Sequence, residues 1–479
     1  MNQRRQGMIS HVLTVYKNSG FKPAVKTALH DMREGSAKKA QRSFYMRSLF
    51  SQEQKENTHV SGYRIVKSDG VSLHGDMMCE LSQAVAGKNP AFVYMDELRD
   101  GRLLYKPDFA PDNLASQNYI GNCVAVREDV LDEKALRLAC ESTLWNFNRY
   151  ICEKCTQDEI CHISRALFED TDRDGGAADG IQAHGVMADE EVSENAGTRD
   201  AKPLVSIIIP NYEHTEDLRR CVDSLFEINS YENFEIIIVE NNSKSDEIFA
   251  YYRELEEKHS GKVRVIIWDG GFNYSAINNY GAAWAKGELL LLLNNDTKII
   301  EPDSIERMAW YAMRGNTGAV GACLLYEDKT IQHSGVIVGI GPDRTAVHPN
   351  AGVSIIERGY RDSIHHVQNY SAVTGACLMV KRALYEELNG LDEELAVAYN
   401  DVDFCLRLRQ RGLLNVYVPE AMLYHYESKS RGYDDKGERH ERLLRESAMF
   451  RERWQAYIDD GDGYYNSNLS KDRPWDIRL

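Results

Sequence analysis

"ELLLLLNNDTKI", residues 288–299, is an apolar run that stops at two amides and a carboxylate. Five successive leucines suit a central parallel strand covered on both faces, because alternation disappears when neither face meets water. In open sheets of this kind, ligands collect at the carboxyl ends of the strands. Asn294, Asn295 and Asp296 therefore stand where a binding site is expected.

Upstream, apolar strands alternate with helical patterns: "LVSIIIP" (204–210), a helix near 216–228, "FEIIIVE" (234–240), a helix near 246–259, "VRVIIW" (263–268) and a helix near 275–286. Such a βα series predicts a mostly parallel sheet wound with right-handed crossovers. The first turn, "PNYEHTED", contains no glycine. A dinucleotide dehydrogenase would show G-x-G-x-x-G there and a P-loop G-x-x-x-x-G-K-S/T, so both classes lose their main support.

The chain has 479 residues, 43% of them hydrophobic, enough for two or three soluble domains. A formal charge of −17 argues against a general nucleic-acid binder. The first fifty residues are basic, however (Arg4, Arg5, Lys17, Lys22, Lys26, Arg33, Lys38, Lys39, Arg42, Arg47), which suits a solvated helix face or peripheral contact with an anionic membrane. No apolar segment follows Met1, no run reaches the roughly 18 residues of a membrane span, and the ten cysteines are scattered, so a cytoplasmic protein with reduced thiols is expected. Cys152, Cys155, Cys161 and His162 have spacings that suit zinc, but without a second spaced pair packed thiols are the simpler reading.

A Gly-, Ala- and acid-rich stretch divides the chain and predicts five parts: a basic helical segment 1–51, a smaller α/β module 52–168, a linker 169–202, a main domain 203–460 and a tail 461–479. An internal echo links the halves. "QNYIGNCVAVREDVL" (117–131) parallels "QNYSAVTGACLMVKRAL" (368–384), and "ICHISRALFED" (160–170) parallels "NVYVPEAMLYH" (415–425), so the front module is expected to repeat the back half of the later domain.

Four strand ends converge on one sheet edge in this reading: Pro210, Asn211 and Tyr212; Glu240, Asn241 and Asn242; Asp269, Gly270 and Gly271; and Asn294, Asn295 and Asp296. Amides and a carboxylate there can bind a base and ribose, and Tyr212 can stack on a ring, although after any one strand such residues also serve as turns and caps. Asp296 is a candidate Mg²⁺ ligand, since that ion is commonly held by one or two carboxylates and substrate phosphates. Farther on, a helix over 402–411 leaves Asp401 at or near its N-cap, a position that suits a cap as well as a catalytic group. A strand ending at His425 follows, and Lys429 and Arg431 lie just beyond it, suited to a diphosphate or simply to solvent.

Together "VSIIIPNYEHTEDLRRCVDSL", "FEIIIVENNSKSD", "GGFNYSAINNYGAAWAKGELLLLLNNDTKI", "SAVTGACLMVKR", "AYNDVDFCLRLRQRG" and "YHYESKSRG", in that order, resemble inverting, metal-dependent family 2 glycosyltransferases of bacterial surface-polysaccharide synthesis, the rhamnosyl- and galactofuranosyl-transferring members above all. The resemblance covers about 203–450 and implies a Rossmann-like, mostly parallel sheet of the glycosyltransferase A type. It implies Asp401 as catalytic base and Asp296 with His425 as ligands of Mg²⁺ or Mn²⁺. Pro210, Tyr212, Glu240, Asn242, Gly271, Asn279 and Asn295 fall on the nucleotide side, Gly375, Ala376 and Asn400 near sugar or acceptor, and Lys429 and Arg431 at the diphosphate. Asn294 replaces an acid often found in the metal-binding triplet. The implied partners are a UDP- or dTDP-linked sugar donor and a glycan or lipid-linked acceptor, met in the cytoplasm or at the inner face of the membrane. The front module resembles only the rear of such a domain, with Leu144 or Trp145 where the base would stand, so a degenerate, noncatalytic module is expected. A binding or scaffolding protein that retains the fold is the alternative.

Overall fold

The computed structural model describes residues 60–171, 202–426 and 437–478. The basic segment, most of the expected linker, Lys429 and Arg431 lie outside the described residues. Among the described residues, no helix is long and apolar enough to cross a membrane.

The front module contains β1 (Tyr63–Lys67), β2 (Val71–Leu73), α1 (Met77–Lys88), β3 (Phe92–Arg99), β4 (Arg102–Leu104), α2 (Pro111–Ser116), β5 (Cys123–Arg127), α3 (Glu133–Glu141), α4 (Leu144–Lys154) and β6 (Ile160–Asp170). β6 thus runs through Asp170, past the expected boundary at residue 168. The sheet order is β1-β5-β3-β6-β2, with β4 on the side of β3.

The later part contains β7 (Val205–Asn211), α5 (Thr215–Glu227), β8 (Phe234–Glu240), α6 (Asp246–Lys258), β9 (Val263–Ile267), α7 (Tyr274–Ala282), β10 (Leu289–Leu293), β11 (Thr297–Ile299) and α8 (Ser304–Met313). It continues with β12 (Thr317–Leu325), β13 (Ile331–His333), β14 (Ile337–Val338), β15 (Ala346–Val347), β16 (Gln368–Tyr370), β17 (Cys377–Lys381), α9 (Arg382–Glu387), α10 (Asn400–Gln410), β18 (Leu414–His425) and α11 (Gly437–Asp460). The order β11-β18-β12-β17-β10-β7-β8-β9 makes a ten-stranded sheet in which β13 and β16 flank the path. β7, β8, β9 and β10 are parallel neighbours, β12 and β18 are parallel to one another, and β17 lies antiparallel between β10 and β12.

The five leucines are explained by the layers. Leu289, Leu291 and Leu293 pack with Leu218 of α5, Ile248 of α6 and Met308 of α8. Leu290 and Leu292 face the opposite core with Ile277 of α7, Phe404 of α10 and Phe450 of α11. Each leucine meets a helix layer, so burial contributes roughly 1.5–3 kcal/mol at every position. The strand is therefore held rigidly and its polar tip is placed with it.

The front module is joined to the later domain by polar contacts as well as by a shared apolar core. Arg314 pairs with both oxygens of Asp112 at 2.6 and 3.0 Å, and the backbone N–H of Asn369 in β16 donates to Asn113 at 2.6 Å. Residues beyond α11 continue the seam: Asn466 Nδ2 donates to the buried Asp96 carboxylate at 3.1 Å and to the Lys106 carbonyl at 2.9 Å, and Trp475 stacks on Tyr360.

The expected echo extends through the topology. The front order β1-β5-β3-β6-β2 has the same succession and pairing senses as β10-β17-β12-β18-β11. Among the described residues, the front module has no counterparts of β7, β8 and β9.

Candidate active site

The site begins where β10 ends. Asn294 N–H donates to the Ala376 carbonyl at 3.0 Å, pinning the polar triplet to the loop before β17. The chain then turns into β11, whose antiparallel register sets Thr297 opposite His425 at the end of β18. Residues 128 positions apart, Thr297 and His425, are thereby neighbours, and Asp296 Oδ1 lies 3.1 Å from His425 Nε2. Both side chains are nearly buried. Burial alone would raise the Asp296 pKa, but the neighbouring His425 imidazole outweighs it and holds the carboxyl below its ordinary range.

Asp401 arrives from the other side. The N-cap of α10 is Tyr399, in the left-handed region at φ 63°, and Asp401 lies near it, in the first turn. Its Oδ2 accepts from Gly375 N–H at 2.7 Å and its Oδ1 from Val402 N–H at 2.8 Å. Behind it, Asp403 is fully buried and binds Arg407, Arg453 and the Trp454 indole, which anchors α10 on α11.

Tyr274 links the two ends. Its hydroxyl lies 2.8 Å from the Gly375 carbonyl and 3.1 Å from Asn294 Oδ1, and Asn294 Nδ2 lies 3.2 Å from His425 Nε2. Burial pushes the phenol pKa upward, so Tyr274 remains a donor. Asp401, Gly375, Tyr274, Asn294, His425 and Asp296 consequently form one ladder of close polar contacts.

The other expected site residues divide. Tyr212 is 52% exposed and able to stack on a ring, Asn242 donates to the Gly270 carbonyl at 2.8 Å, and Asn295 donates to Asn211 at 2.6 Å. Gly271 borders open space, which leaves its backbone approachable. Pro210 pairs with Val239, and the loop holding Gly375 and Ala376 touches both Asp401 and Asn294. Asn400 is buried and donates to the Val397 carbonyl at 3.2 Å. Glu240 is turned inward: Ser243 Oγ donates to it at 2.8 Å, and the Ser243 N–H and Tyr252 hydroxyl donate as well. It shapes the loop after β8. Asn279 holds residues 385–393, donating to the Leu391 carbonyl at 2.9 Å and accepting from Leu391 N–H at 2.9 Å and Tyr385 at 2.7 Å.

Tyr274, and Gln332 of β13, which lies 2.6 Å from His425, are not legible from the sequence as neighbours of the ladder. Tyr274 opens a helix like any cap neighbour, and β13 is too short to show a periodicity. Among the described residues, no group of three or more His, Cys, Asp or Glu side chains is arranged to hold a metal, which includes the Cys152–His162 stretch. There His162 lies 3.0 Å from Asp96 and 3.2 Å from Asp108.

The Asp296–His425 pair nevertheless suits a cation shared with a ligand. Asp296 Oδ1 is buried and has no hydrogen-bond partner. Two donors each about 2.1 Å from an octahedral ion, at right angles, stand about 3 Å apart. The observed 3.1 Å matches that edge.

Comparison with known proteins decides the class. The model of "Glycosyl transferase family 2" matches residues 206–387, the stretch that carries β7 through β17. This region is a family 2 glycosyltransferase domain. The wider chain is 35% identical over 397 residues to an uncharacterized protein, y4gI, of Sinorhizobium fredii, covering 77% of this chain and 43% of that one. It is 32% identical over 407 residues to the O-antigen biosynthesis protein RfbC of Myxococcus xanthus, covering 76% of this chain and 30% of the relative. The dTDP-rhamnosyl transferase RfbF of Shigella flexneri matches at 22% over 230 residues, 46% of this chain and 68% of its own. The chain thus spans less than half the length of the first two relatives. The fold is the expected α/β one, with residues 206–387 supplying the parallel strands β7, β8, β9 and β10 and the ladder lying at the carboxyl end of β10.

Proposed function

We propose that this glycosyltransferase domain moves a sugar from a nucleoside diphosphate donor to a hydroxyl of a glycan or lipid-linked acceptor, with inversion, in cell-surface polysaccharide synthesis. The observation that carries the reading is the ladder of contacts joining Asp401 to Asp296 and His425. The names of the Myxococcus and Shigella relatives support polysaccharide assembly and a deoxythymidine diphosphate donor, with a UDP donor as the alternative.

Tyr212 stacks on the base, and Asn242, Gly271 and Asn295 line the nucleotide side. Gly375 and Ala376 floor the sugar. Asp401 accepts the acceptor hydroxyl's proton as that oxygen attacks the anomeric carbon, and the bond from that carbon to the diphosphate oxygen breaks on the opposite face. The Gly375 N–H bond orients the carboxylate for this transfer. Asp296 and His425 would hold a Mg²⁺ or Mn²⁺ ion, which would supply charge stabilisation to the departing diphosphate. Lys429 and Arg431, outside the described residues, are assigned to the same diphosphate from the sequence.

The front module has Trp145 in the place of the base and is read as noncatalytic. The basic segment 1–50 is read as a peripheral contact with the inner face of the membrane. Flotation with anionic vesicles, with and without residues 1–50, tests the latter: equal flotation ends it.

A panel of UDP-, dTDP- and GDP-sugars with Mn²⁺ tests the main reading. Turnover lost in Asp401→Asn is expected. Nucleotide binding without turnover, unaffected by that change, favours a scaffolding protein, to which Asn294 and Asn295 in a triplet often acidic lend some support.

A further inference from the structure

Gln332 lies in β13 between Ile331 and His333, all three buried. Its Oε1 is 2.6 Å from Nδ1 of His425. An amide oxygen has lone pairs and no hydrogen, so this contact requires a hydrogen on Nδ1. On the other side of the ring, Asn294 Nδ2 lies 3.2 Å from Nε2, and Nδ2 is a donor. The two amides therefore ask opposite things of the imidazole: Gln332 demands N–H at Nδ1, and Asn294 demands a lone pair at Nε2. That lone pair faces Asp296 Oδ1, the buried oxygen without a hydrogen-bond partner, at 3.1 Å. Two lone pairs brought this close repel one another unless a proton or a cation shares them.

We propose that Gln332 is a positioning residue, which fixes His425 in the Nδ1–H tautomer so that Nε2 and Asp296 Oδ1 together face a divalent cation. The inference rests on the reading of Asp296 and His425 as the cation site. A ligating imidazole is aimed by what its other nitrogen donates to, and loss of such a partner typically weakens metal binding 10- to 100-fold. The ring is almost wholly buried, so water does not replace the amide. A leucine at position 332 would fill the space and leave Nδ1–H unpaired.

The test uses the full chain. Mn²⁺ alone is titrated and the free ion followed by electron paramagnetic resonance, for the wild type, Gln332→Leu, Gln332→Glu, Asp296→Ala and His425→Ala. In parallel, ¹⁵N-histidine spectra without metal report the His425 tautomer, assigned by its loss in His425→Ala. The expected result is Mn²⁺ binding weakened about 10- to 100-fold in Gln332→Leu, retained within about threefold in Gln332→Glu because a carboxylate also accepts from Nδ1–H, and an Nδ1–H signature in the wild type that Gln332→Leu loses. Wild-type affinity in Gln332→Leu, alongside weakened binding in Asp296→Ala and His425→Ala, overturns the role of Gln332 and leaves the cation site standing. Unchanged binding in all variants overturns both. If Gln332→Leu does not fold, the wild-type spectrum decides alone, an Nε2–H ring overturning the proposal.

Discussion

The strands from β1 to β6 and those from β10 to β18 follow one another in the same spatial order, yet their tips hold different chemistry. The registers allow a residue-level comparison. Lys67 lies opposite Cys123 as Leu293 lies opposite Cys377, and Val71 lies opposite Asp170 as Thr297 lies opposite His425. Gly70 thus occupies the place of Asp296, and Asp170 that of His425. Counting from the helix caps Thr143 and Tyr399, Trp145 occupies the place of Asp401.

In the front copy the groups at the equivalent places are held by neighbours. Asp170 takes Asn122 Nδ2 at 2.9 Å and Arg99 at 3.2 Å, and the Trp145 indole donates to the Leu114 carbonyl at 2.6 Å. The buried Glu97 is ringed by Arg99 at 3.0 Å, Lys106 at 3.1 Å and Arg361 at 3.7 Å. These cations hold its carboxyl below the ordinary range even though burial, the largest influence, acts to raise it. In the later copy Asp296 Oδ1 has one imidazole beside it, at 3.1 Å. A shared backbone path therefore does not carry the same side-chain chemistry at the strand tips.

The comparison breaks most visibly at the base. Asp401→Asn is expected to lower turnover about 10²- to 10⁴-fold, measured as release of nucleoside diphosphate, and adding Trp145→Asp to that variant should restore nothing. Recovery there would make the front copy catalytic. Next, Lys106→Met leaves Glu97 without its nearest ammonium and should destabilise the chain by about 3–5 kcal/mol in denaturant unfolding. The double variant with Glu97→Leu should regain most of that loss; no recovery would mean that the cluster does not act as a charge unit.

A smaller effect is expected at the seam. Asn466→Ala removes the bonds to Asp96 and the Lys106 carbonyl, a cost of about 1–3 kcal/mol, visible in unfolding and in faster proteolysis of residues 461–478. The smallest near neutrality concerns His333, which stands opposite Leu324 as Leu104 stands opposite Glu97. Burial lowers its pKa to about 3, with His348 adding to the effect. Its Nδ1–H donates to the Ala322 carbonyl at 2.8 Å, and Nε2 accepts from Gly335 and Thr374 N–H at 3.2 Å. Unfolded, it titrates near 6.5. Between that value and about 3 the unfolded chain holds a proton that the folded chain lacks, so the stability contributed above pH 6.5 is lost as pH falls through the window. His333→Gln should remove a slope of up to about 1.4 kcal/mol per pH unit from acid unfolding curves; an unchanged slope would show that this imidazole does not titrate there.

How far these features could be read in advance depended on the range of the interaction. β8 was placed at residues 234–240 because a strand buried on both faces is an uninterrupted apolar run. The match of β6 with β18 was visible in a short echo. The match of β1 with β10 was not, because β1 is partly exposed and β10 wholly buried, so equivalent strands carry unlike residues. Glu240 and Asn279 had the right residue types at strand tip and helix. Their partners, Tyr252 and Leu391, come from other elements and turn both side chains to structural work.

The amino-acid order by itself determined the alternation of strands and helices and the polar character of each strand tip, since hydrophobic periodicity and turn chemistry act over a few residues. Only the tertiary structure decided which tips meet. The β11–β18 register brings Asp296 to His425, the Gly375 loop brings Asp401 to Tyr274, and β13 brings Gln332 behind the imidazole. Those meetings are set by pairing between segments far apart in the chain, and no local pattern encodes a partner a hundred residues away.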